Sequence, residues 1–120
     1  MGSPVVHFEI MGGDGPALQK FYSETFGWKI NAENPMDYGM ADTDSGGNGI
    51  GGGVGASEDG KPFTTVYIEV GNVSEKLSEV EAAGGTVVMP ETVVPGMVTF
   101  GLFSDPQGNV VGVVASESPE

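Results

Sequence analysis

Two side chains suited to acid–base chemistry, His7 and Glu9, lie two residues apart near the start of this 120-residue sequence. His7 is the single histidine, and imidazole is the side chain whose unperturbed pKa lies closest to neutrality. Residues i and i+2 of a β-strand point to the same face, so both side chains can serve one site. We predict that any proton transfer uses His7 as the general base, with Glu9 as the alternative. The other interpretation of His7 is an ordinary strand histidine, exposed or hydrogen-bonded.

The charge of the chain excludes several kinds of partner. There are 17 Asp and Glu against four Lys and no Arg, which gives a net charge of −13. A surface of this sign repels phosphate backbones, so we expect no nucleic-acid partner. Without arginine there is no guanidinium fork to bind phosphate or carboxylate bidentately, which favours a neutral or cationic small molecule. The acidity is also explained, more simply, as a contribution to solubility.

Cysteine is absent, which removes disulfides, thiolate nucleophiles and cysteine-ligated zinc sites. The apolar runs are only a few residues long, and the N-terminus has no basic segment followed by an apolar one. We therefore expect a cytoplasmic protein that does not enter a membrane.

Hydrophobic periodicity predicts the same order of elements in both halves of the chain, a strand, a helix and three more strands. In the first half these elements are Val5–Ile10, a helix from Pro16 to Phe26, Trp28–Asn31, Asp37–Ala41 and Gly49–Val54. In the second half they are Thr64–Val70, Val73–Ala83, Thr86–Met89, Met97–Phe103 and Val110–Val114, followed by a frayed tail over 116–120. We predict a single α+β domain over 1–120, with βαβββ modules at about 4–55 and 63–115 and a polar linker at about 56–62.

The repeat places Thr65 at the position that corresponds to His7. Alternation along the predicted strand puts Thr65, Tyr67 and Glu69 on one face, as it does His7 and Glu9. Each helix would cover the opposite face of its module, which leaves these five side chains around a cavity.

Three segments carry a resemblance to a known family. They are the opening strand with His7, the stretch Phe21–Trp28 (FYSETFGW), and the turn Asp105–Asn109 (DPQGN). With the module order, they resemble the glyoxalase / bleomycin resistance protein / dioxygenase superfamily, also called the vicinal oxygen chelate superfamily. The resemblance implies a U-shaped, half-barrel mixed sheet with helices on its outer face, and commonly a homodimer. We assign the aromatic residues and the turn to folding, with the aromatic rings anchoring the helix on the sheet.

The resemblance also implies four metal ligands, usually His, Glu or Gln, on the first and fourth strand of each module. Only His7 matches, since the other three positions fall at Thr65, Gly112 and near Gly52. One imidazole does not hold a divalent metal against water, so we expect no cofactor. The alternative is a metal held by an atypical set of His7, Glu9 and Glu69.

We predict a small-molecule-binding protein of the glyoxalase/bleomycin-resistance type, with a partly apolar ligand in the cavity. Glycines at the former ligand positions would enlarge this pocket. The predicted ligand-binding residues are His7, Glu9, Thr65, Tyr67, Glu69, Gly52, Gly112 and Phe103, with Met11, Met40 and Met97 as further apolar contributors. One alternative is a lyase or ring-cleaving dioxygenase that uses an atypical metal or metal-free acid–base chemistry at His7. Another is an accessory domain with a vestigial pocket.

Overall fold

The computed structural model describes residues 2–44 and 46–116. In this part of the chain the elements are β1 (Val5–Gly12), α1 (Gly15–Phe26), β2 (Lys29–Asn31), β3 (Gly39–Asp42), β4 (Gly52–Ala56), β5 (Phe63–Val70), α2 (Val73–Ala82), β6 (Thr86–Val94), β7 (Val98–Ser104) and β8 (Val110–Ala115). The α+β class and the two βαβββ modules predicted from the sequence are confirmed. Beyond Ser116, the predicted tail lies outside the described residues. No helix in the described ranges is long and apolar enough to span a bilayer.

The chain divides into two compact units, which we call the first unit (Val6–Thr65) and the second unit (Val66 onward, with the residues before Val6). In the first unit the strand order is β2-β3-β4-β1, and β1 and β4 run parallel. In the second unit the order is β5-β8-β7-β6, and β5 and β8 run parallel. Each module therefore places its first strand beside its last one.

β6 continues to Val94, five residues beyond the predicted end at Met89. Pro90 follows Met89 and cannot donate a backbone hydrogen bond, which favours an end of the strand at that point. The pairing of β6 with β7 is irregular on both sides of Met89, and β6 is the last strand in the order. An irregular edge strand accepts proline, so the strand continues past it.

Helix α1 begins at a cap that the sequence favours. The Asp14 side chain accepts a hydrogen bond from the Ala17 amide at 3.0 Å, and Gly27 ends the helix with a left-handed φ of 74°. Tyr22 stacks on Trp28 with ring centroids 5.1 Å apart, and Trp28 contacts Phe8 of β1 at 5.4 Å. These rings anchor the helix as predicted.

Two other rings of the same segment do not behave as predicted. Phe21 is 53% exposed and Phe26 is 60% exposed, so neither is buried against the sheet. Each instead contacts Tyr22 at the surface, with centroid distances of 5.0 and 6.0 Å. The sheet therefore covers only part of this aromatic segment, where Phe8 of β1 contacts Trp28.

The core of the second unit lies between α2 and its strands. Val73 and Leu77 of α2 are buried with Val70 and Val113. The predicted turn also forms, because the Asp105 carboxylate accepts hydrogen bonds from the backbone amide and the side chain of Asn109 at 2.9 and 2.8 Å. These bonds lower the pKa of Asp105, the side-chain bond from Asn109 most of all.

Candidate functional site

One face of the first unit carries His7 and Glu9, which both lie on β1. The register of β1 and β4 pairs Glu9 with Gly53, and that of β3 and β4 pairs Met40 with the same glycine. Directly paired residues share a face of the sheet, and His7 and Met11 share it with Glu9 by alternation. We call this surface the His7 face.

The hydroxyl of Tyr38 joins His7 to Glu9. It donates a hydrogen bond to Oε2 of Glu9 at 2.8 Å, and it lies 2.8 Å from Nε2 of His7. A phenol has one proton, so the hydroxyl that donates to Glu9 must accept from His7. The imidazole is therefore the tautomer with its proton on Nε2. We call these three residues the phenol-bridged triad.

The backbone around Tyr38 is fixed by two amide side chains. Oδ1 of Asn34 accepts from the Tyr38 amide at 3.0 Å, and Nδ2 of Asn34 donates to the Tyr38 carbonyl at 2.8 Å. From helix α1, Gln19 donates to the carbonyls of Asp37 at 3.2 Å and Val54 at 2.8 Å. Asp37 adopts a left-handed φ of 53°, which Asp tolerates better than most residues. The turn before β3 thus holds the phenol over the sheet.

Gly53 provides the space for this phenol. A Cβ atom built at Gly53 would lie 1.7 Å from the Tyr38 hydroxyl oxygen and 1.9 Å from the ring carbon that bears it. No side chain larger than hydrogen fits at residue 53 while Tyr38 stays in place. The triad therefore depends on a glycine in the neighbouring strand.

The imidazole of His7 is partly buried, and this desolvation lowers its pKa below the ordinary value of 6.5. At neutral pH the ring is thus uncharged, while an ionised Glu9 would give the triad a net negative charge. A neutral imidazole is the form that acts as a base or accepts a hydrogen bond from a ligand.

A pH titration tests this environment directly. The His7 ring protons should titrate with a midpoint below 6.5 in an NMR experiment, and the single histidine makes the signal unambiguous. Because the folded pKa is depressed, the contribution of His7 to stability is fully present above the unfolded pKa and is lost as the pH falls through the folded pKa. The His7→Gln variant should lack this component of the pH dependence. A midpoint at or above 6.5 in the folded protein would contradict the assignment.

The glycines at the former ligand positions do not enlarge a pocket, contrary to the prediction. A Cβ at Gly112 would lie 2.3 Å from the Tyr67 ring, and one at Gly52 would lie 2.4 Å from the Phe8 ring. Aromatic side chains fill the space in both places. Gly52 also lies on the wrong face for its predicted role, since it pairs with Phe8 and therefore faces away from Glu9. Gly53 holds the position that was assigned to it.

In the second unit, the predicted binding residue Phe103 also faces the other way. It packs against the core of Val70, Val73, Leu77 and Val113, on the side of the sheet that α2 covers. Register places Leu102 beside Gly112, and Phe100 contacts the Tyr67 ring with centroids 6.3 Å apart. Phe100 and Leu102 are thus among the apolar side chains on the Tyr67 face.

The remaining predicted ligand-binding residues all lie on β5. Thr65 is buried at the end of the first unit, and Tyr67 of the second unit is buried as well, whereas Glu69 is half-buried. Their role in ligand binding stays a prediction.

The residues do not fit the four-ligand metal centre that the resemblance implies. β4 presents only glycines on the His7 face, and the Tyr38 hydroxyl engages Nε2 of His7 and Oε2 of Glu9. Within the described ranges, no three His, Asp or Glu side chains are arranged to hold a metal ion. The alternative set of His7, Glu9 and Glu69 therefore gains no support.

A shallow depression of about 270 Å³ lies in the second unit, at the hairpin between β6 and β7. Val93, Met97 and Val98 contribute its apolar wall, and no titratable side chain lines it. Met97, predicted as an apolar contributor, lies here. The depression has no group that could do acid–base chemistry, so the triad is the better candidate site.

Sequence reasoning missed Tyr38, which it assigned only to a short strand. The available signal was the glycine run in the predicted fourth strand. A glycine in a strand leaves open space above its backbone, and a side chain from a neighbouring strand can occupy that space. Tyr38 is the large polar residue of the neighbouring strand segment.

Comparison with known proteins places this geometry in a family context. The family model described as the glyoxalase/bleomycin resistance protein/dioxygenase superfamily matches residues 5–113. No curated protein matches the chain.

Among solved structures, a variant of methylmalonyl-CoA epimerase from Streptomyces coelicolor, in complex with 2-nitronate-propionyl-CoA, is 18% identical, with a TM-score of 0.69 and coverage of 100% of this chain and 99% of that one. The epimerase from Mycobacterium tuberculosis is 13% identical, with a TM-score of 0.64 and coverage of 96% and 88%. A glyoxalase/bleomycin resistance protein/dioxygenase superfamily member from Vibrio splendidus 12B01 is 13% identical, with a TM-score of 0.63 and coverage of 95% and 99%. Likenesses at this identity show the shared fold.

Proposed function

The chain belongs to the glyoxalase/bleomycin resistance protein/dioxygenase superfamily, and from this premise we propose that it binds a small molecule at the phenol-bridged triad without a metal ion. The observation that carries the proposal is the position of the Tyr38 hydroxyl between His7 and Glu9. This hydroxyl fills the space above Gly53, so no further side chain fits there. The predicted homodimer and cytoplasmic location remain predictions.

The charge of the triad supports a neutral or cationic ligand. The imidazole is uncharged at neutral pH because its pKa is lowered, and an ionised Glu9 leaves one negative charge at a partly buried site. An ammonium group would offset this charge, whereas a carboxylate or phosphate would be repelled. The net charge of −13 acts in the same direction over a longer range.

The apolar part of the ligand would contact the methionines of the His7 face. Met40 pairs with Gly53 and is 47% exposed, and Met11 lies beyond Glu9 on the same strand. Methionine adapts its shape to flat or irregular molecules and makes favourable contacts with aromatic rings. An aromatic or alkyl amine therefore fits the chemistry of this face.

This ligand class differs from that of the similar epimerase structures. The Streptomyces coelicolor variant is in complex with an acyl-CoA analogue. Coenzyme A carries several phosphate groups, which proteins bind with Arg, Lys and helix N-termini. The absence of arginine and the strong negative charge of this chain support a ligand without phosphate.

A second candidate function is metal-free proton transfer in a lyase-type reaction. It is favoured by one observation, the continuous hydrogen-bond chain from His7 through Tyr38 to Glu9. A neutral imidazole with a fixed tautomer can accept a proton from a substrate, and the phenol and carboxylate would stabilise the imidazolium that forms.

A binding screen with charge-matched molecules tests the proposal. Aromatic amines should bind in isothermal titration calorimetry, and carboxylates of the same size should not. Glu9→Gln should weaken amine binding at least about tenfold, which corresponds to about 1.4 kcal/mol. The matched control is Glu24→Gln, which removes the same charge from an exposed position on α1 and should leave the affinity nearly unchanged.

Three outcomes separate the candidates. Equal losses in the two variants would show that bulk charge and not the triad attracts amines. Carboxylate binding as strong as amine binding would contradict the proposed ligand class. Turnover of a screened molecule by chelator-treated protein, lost in His7→Gln, would favour the proton-transfer function.

A further inference from the structure

We infer that the Tyr38 hydroxyl takes the place of a metal ion in this chain. Glycine at residue 53 makes this possible, because any side chain there would exclude the hydroxyl. The inference deepens the proposed function, since it explains how the site works without a metal. It does not depend on which small molecule binds.

The space between His7 and Glu9 is occupied by the Tyr38 hydroxyl. A metal ion held by an imidazole nitrogen and a carboxylate oxygen lies about 2.0–2.2 Å from each. The Tyr38 oxygen lies between the same two groups, 2.8 Å from Nε2 of His7 and 2.8 Å from Oε2 of Glu9. An ion bound by both groups would overlap the phenol, so the hydroxyl and the metal exclude each other.

Strand β4 is the neighbouring strand that would supply another ligand to this site. Gly53 pairs directly with Glu9, so a side chain at residue 53 would point into the same site. The space for its Cβ is filled by the Tyr38 hydroxyl. A metal-ligating side chain at residue 53 and the phenol therefore also exclude each other, and this chain has the combination of glycine and phenol.

The backbone of Tyr38 is held in this position by two amide side chains. Its amide and carbonyl are both bound by the Asn34 side chain, and Gln19 binds the preceding carbonyl. Displacing the phenol would break its bonds to His7 and Glu9 without releasing the backbone that carries it. A metal would have to overcome this cost with only one of the four usual ligands, His7, and with the carboxylate of Glu9, which is not at a usual ligand position.

The exchange of a metal for a phenol changes the charge of the site. A divalent ion would make it positive and suited to anionic oxygen ligands. The phenol adds no charge, so the net charge of the site has the sign of the Glu9 carboxylate. This is the electrostatic reason that an acidic chain without arginine can use the site for neutral or cationic molecules.

Nitrogen-15 NMR of the imidazole in untagged, chelator-free protein tests the inference without any organic ligand. In the wild type we expect the Nε2–H tautomer, and one equivalent of zinc or nickel chloride should leave the imidazole signals unchanged. In Tyr38→Phe the ring remains but the hydroxyl is lost. The His7 imidazole is then no longer held in one tautomer, so the signals of both its nitrogen atoms should shift. The control is Tyr22→Phe, which removes a hydroxyl from the helix side and should leave the imidazole spectrum unchanged.

A stoichiometric shift or broadening of the wild-type signals with either metal would overturn the inference, as would an unchanged imidazole spectrum in Tyr38→Phe. The metal titration needs no variant, so it decides even if Tyr38→Phe folds poorly. A failed amine screen together with metal-insensitive wild-type signals would reject the ligand class and leave the inference intact.

Discussion

Gly112→Ala is expected to lower the free energy of unfolding by about 3 kcal/mol, at the upper end of the usual cost of overpacking a core. The added methyl group would lie 2.3 Å from two atoms of the Tyr67 ring and 2.9 Å from its Cγ. Tyr67 is 8% exposed and contacts Phe100, so the ring has little room to turn away. Chemical denaturation followed by circular dichroism would measure the change.

Two comparisons isolate the steric cause. Gly71→Ala adds the same methyl group in the same unit at a position with no atom within 4 Å, and it should change the stability by less than about 0.5 kcal/mol. Tyr67→Ala removes the ring, so Gly112→Ala should cost little more in that background. Additive effects of the two substitutions would show that the ring is not the cause.

The first strand shows what alternation can predict. Val5–Gly12 alternates clearly, and the sequence correctly placed His7 and Glu9 opposite Phe8. One face of this strand packs on aromatic residues near the helix, and a slip of one residue would expose Phe8. Hydrophobic burial thus fixes the facing wherever apolar and polar residues alternate.

The fourth strand shows where alternation fails. Residues 51–53 are all glycine, so neither face is marked by the sequence, and the assignment to Gly52 was wrong by one position. Strand β7, which contains Phe103, is ambiguous for a different reason. It has apolar residues on both faces, with Phe100 and Leu102 on one face and Phe103 on the other. Its facing is set by Gly101, whose Cβ would lie 2.9 Å from Leu77 of α2. That contact joins residues 24 positions apart and is not visible as a local pattern.

The position of Tyr38 likewise depends on contacts between residues that are far apart in the sequence. Its hydrogen-bond partners lie 31 and 29 residues earlier in the chain, and the glycine that receives it lies in another strand. The family resemblance identifies three positions without a metal ligand, and two of these three positions are glycines. The sequence could therefore predict that ligands were missing, but the structure was needed to identify the phenol that replaced them.

Gly53→Ala is expected to expel the Tyr38 hydroxyl from the triad and to lower the free energy of unfolding by about 2–3 kcal/mol, because two hydrogen bonds are lost and one of them ends on a carboxylate. The new methyl group cannot lie 1.7 Å from the Tyr38 oxygen, and the phenol is the group that can move. The melting temperature should fall by roughly 10 °C. The imidazole signals of His7 should shift as they do in Tyr38→Phe.

Gly55→Ala is the matched control for this substitution. It adds a methyl group two residues further along the same strand and on the same face, where the nearest atoms are at an ordinary 3.8 Å. Its stability and imidazole spectrum should stay close to those of the wild type. Both substitutions reduce the flexibility of the unfolded chain similarly, so the difference between them measures the contact with Tyr38. If the two variants proved equally stable with unchanged His7 signals, Gly53 would not be what makes room for the phenol, and the bridge from His7 to Glu9 would have to be explained in another way.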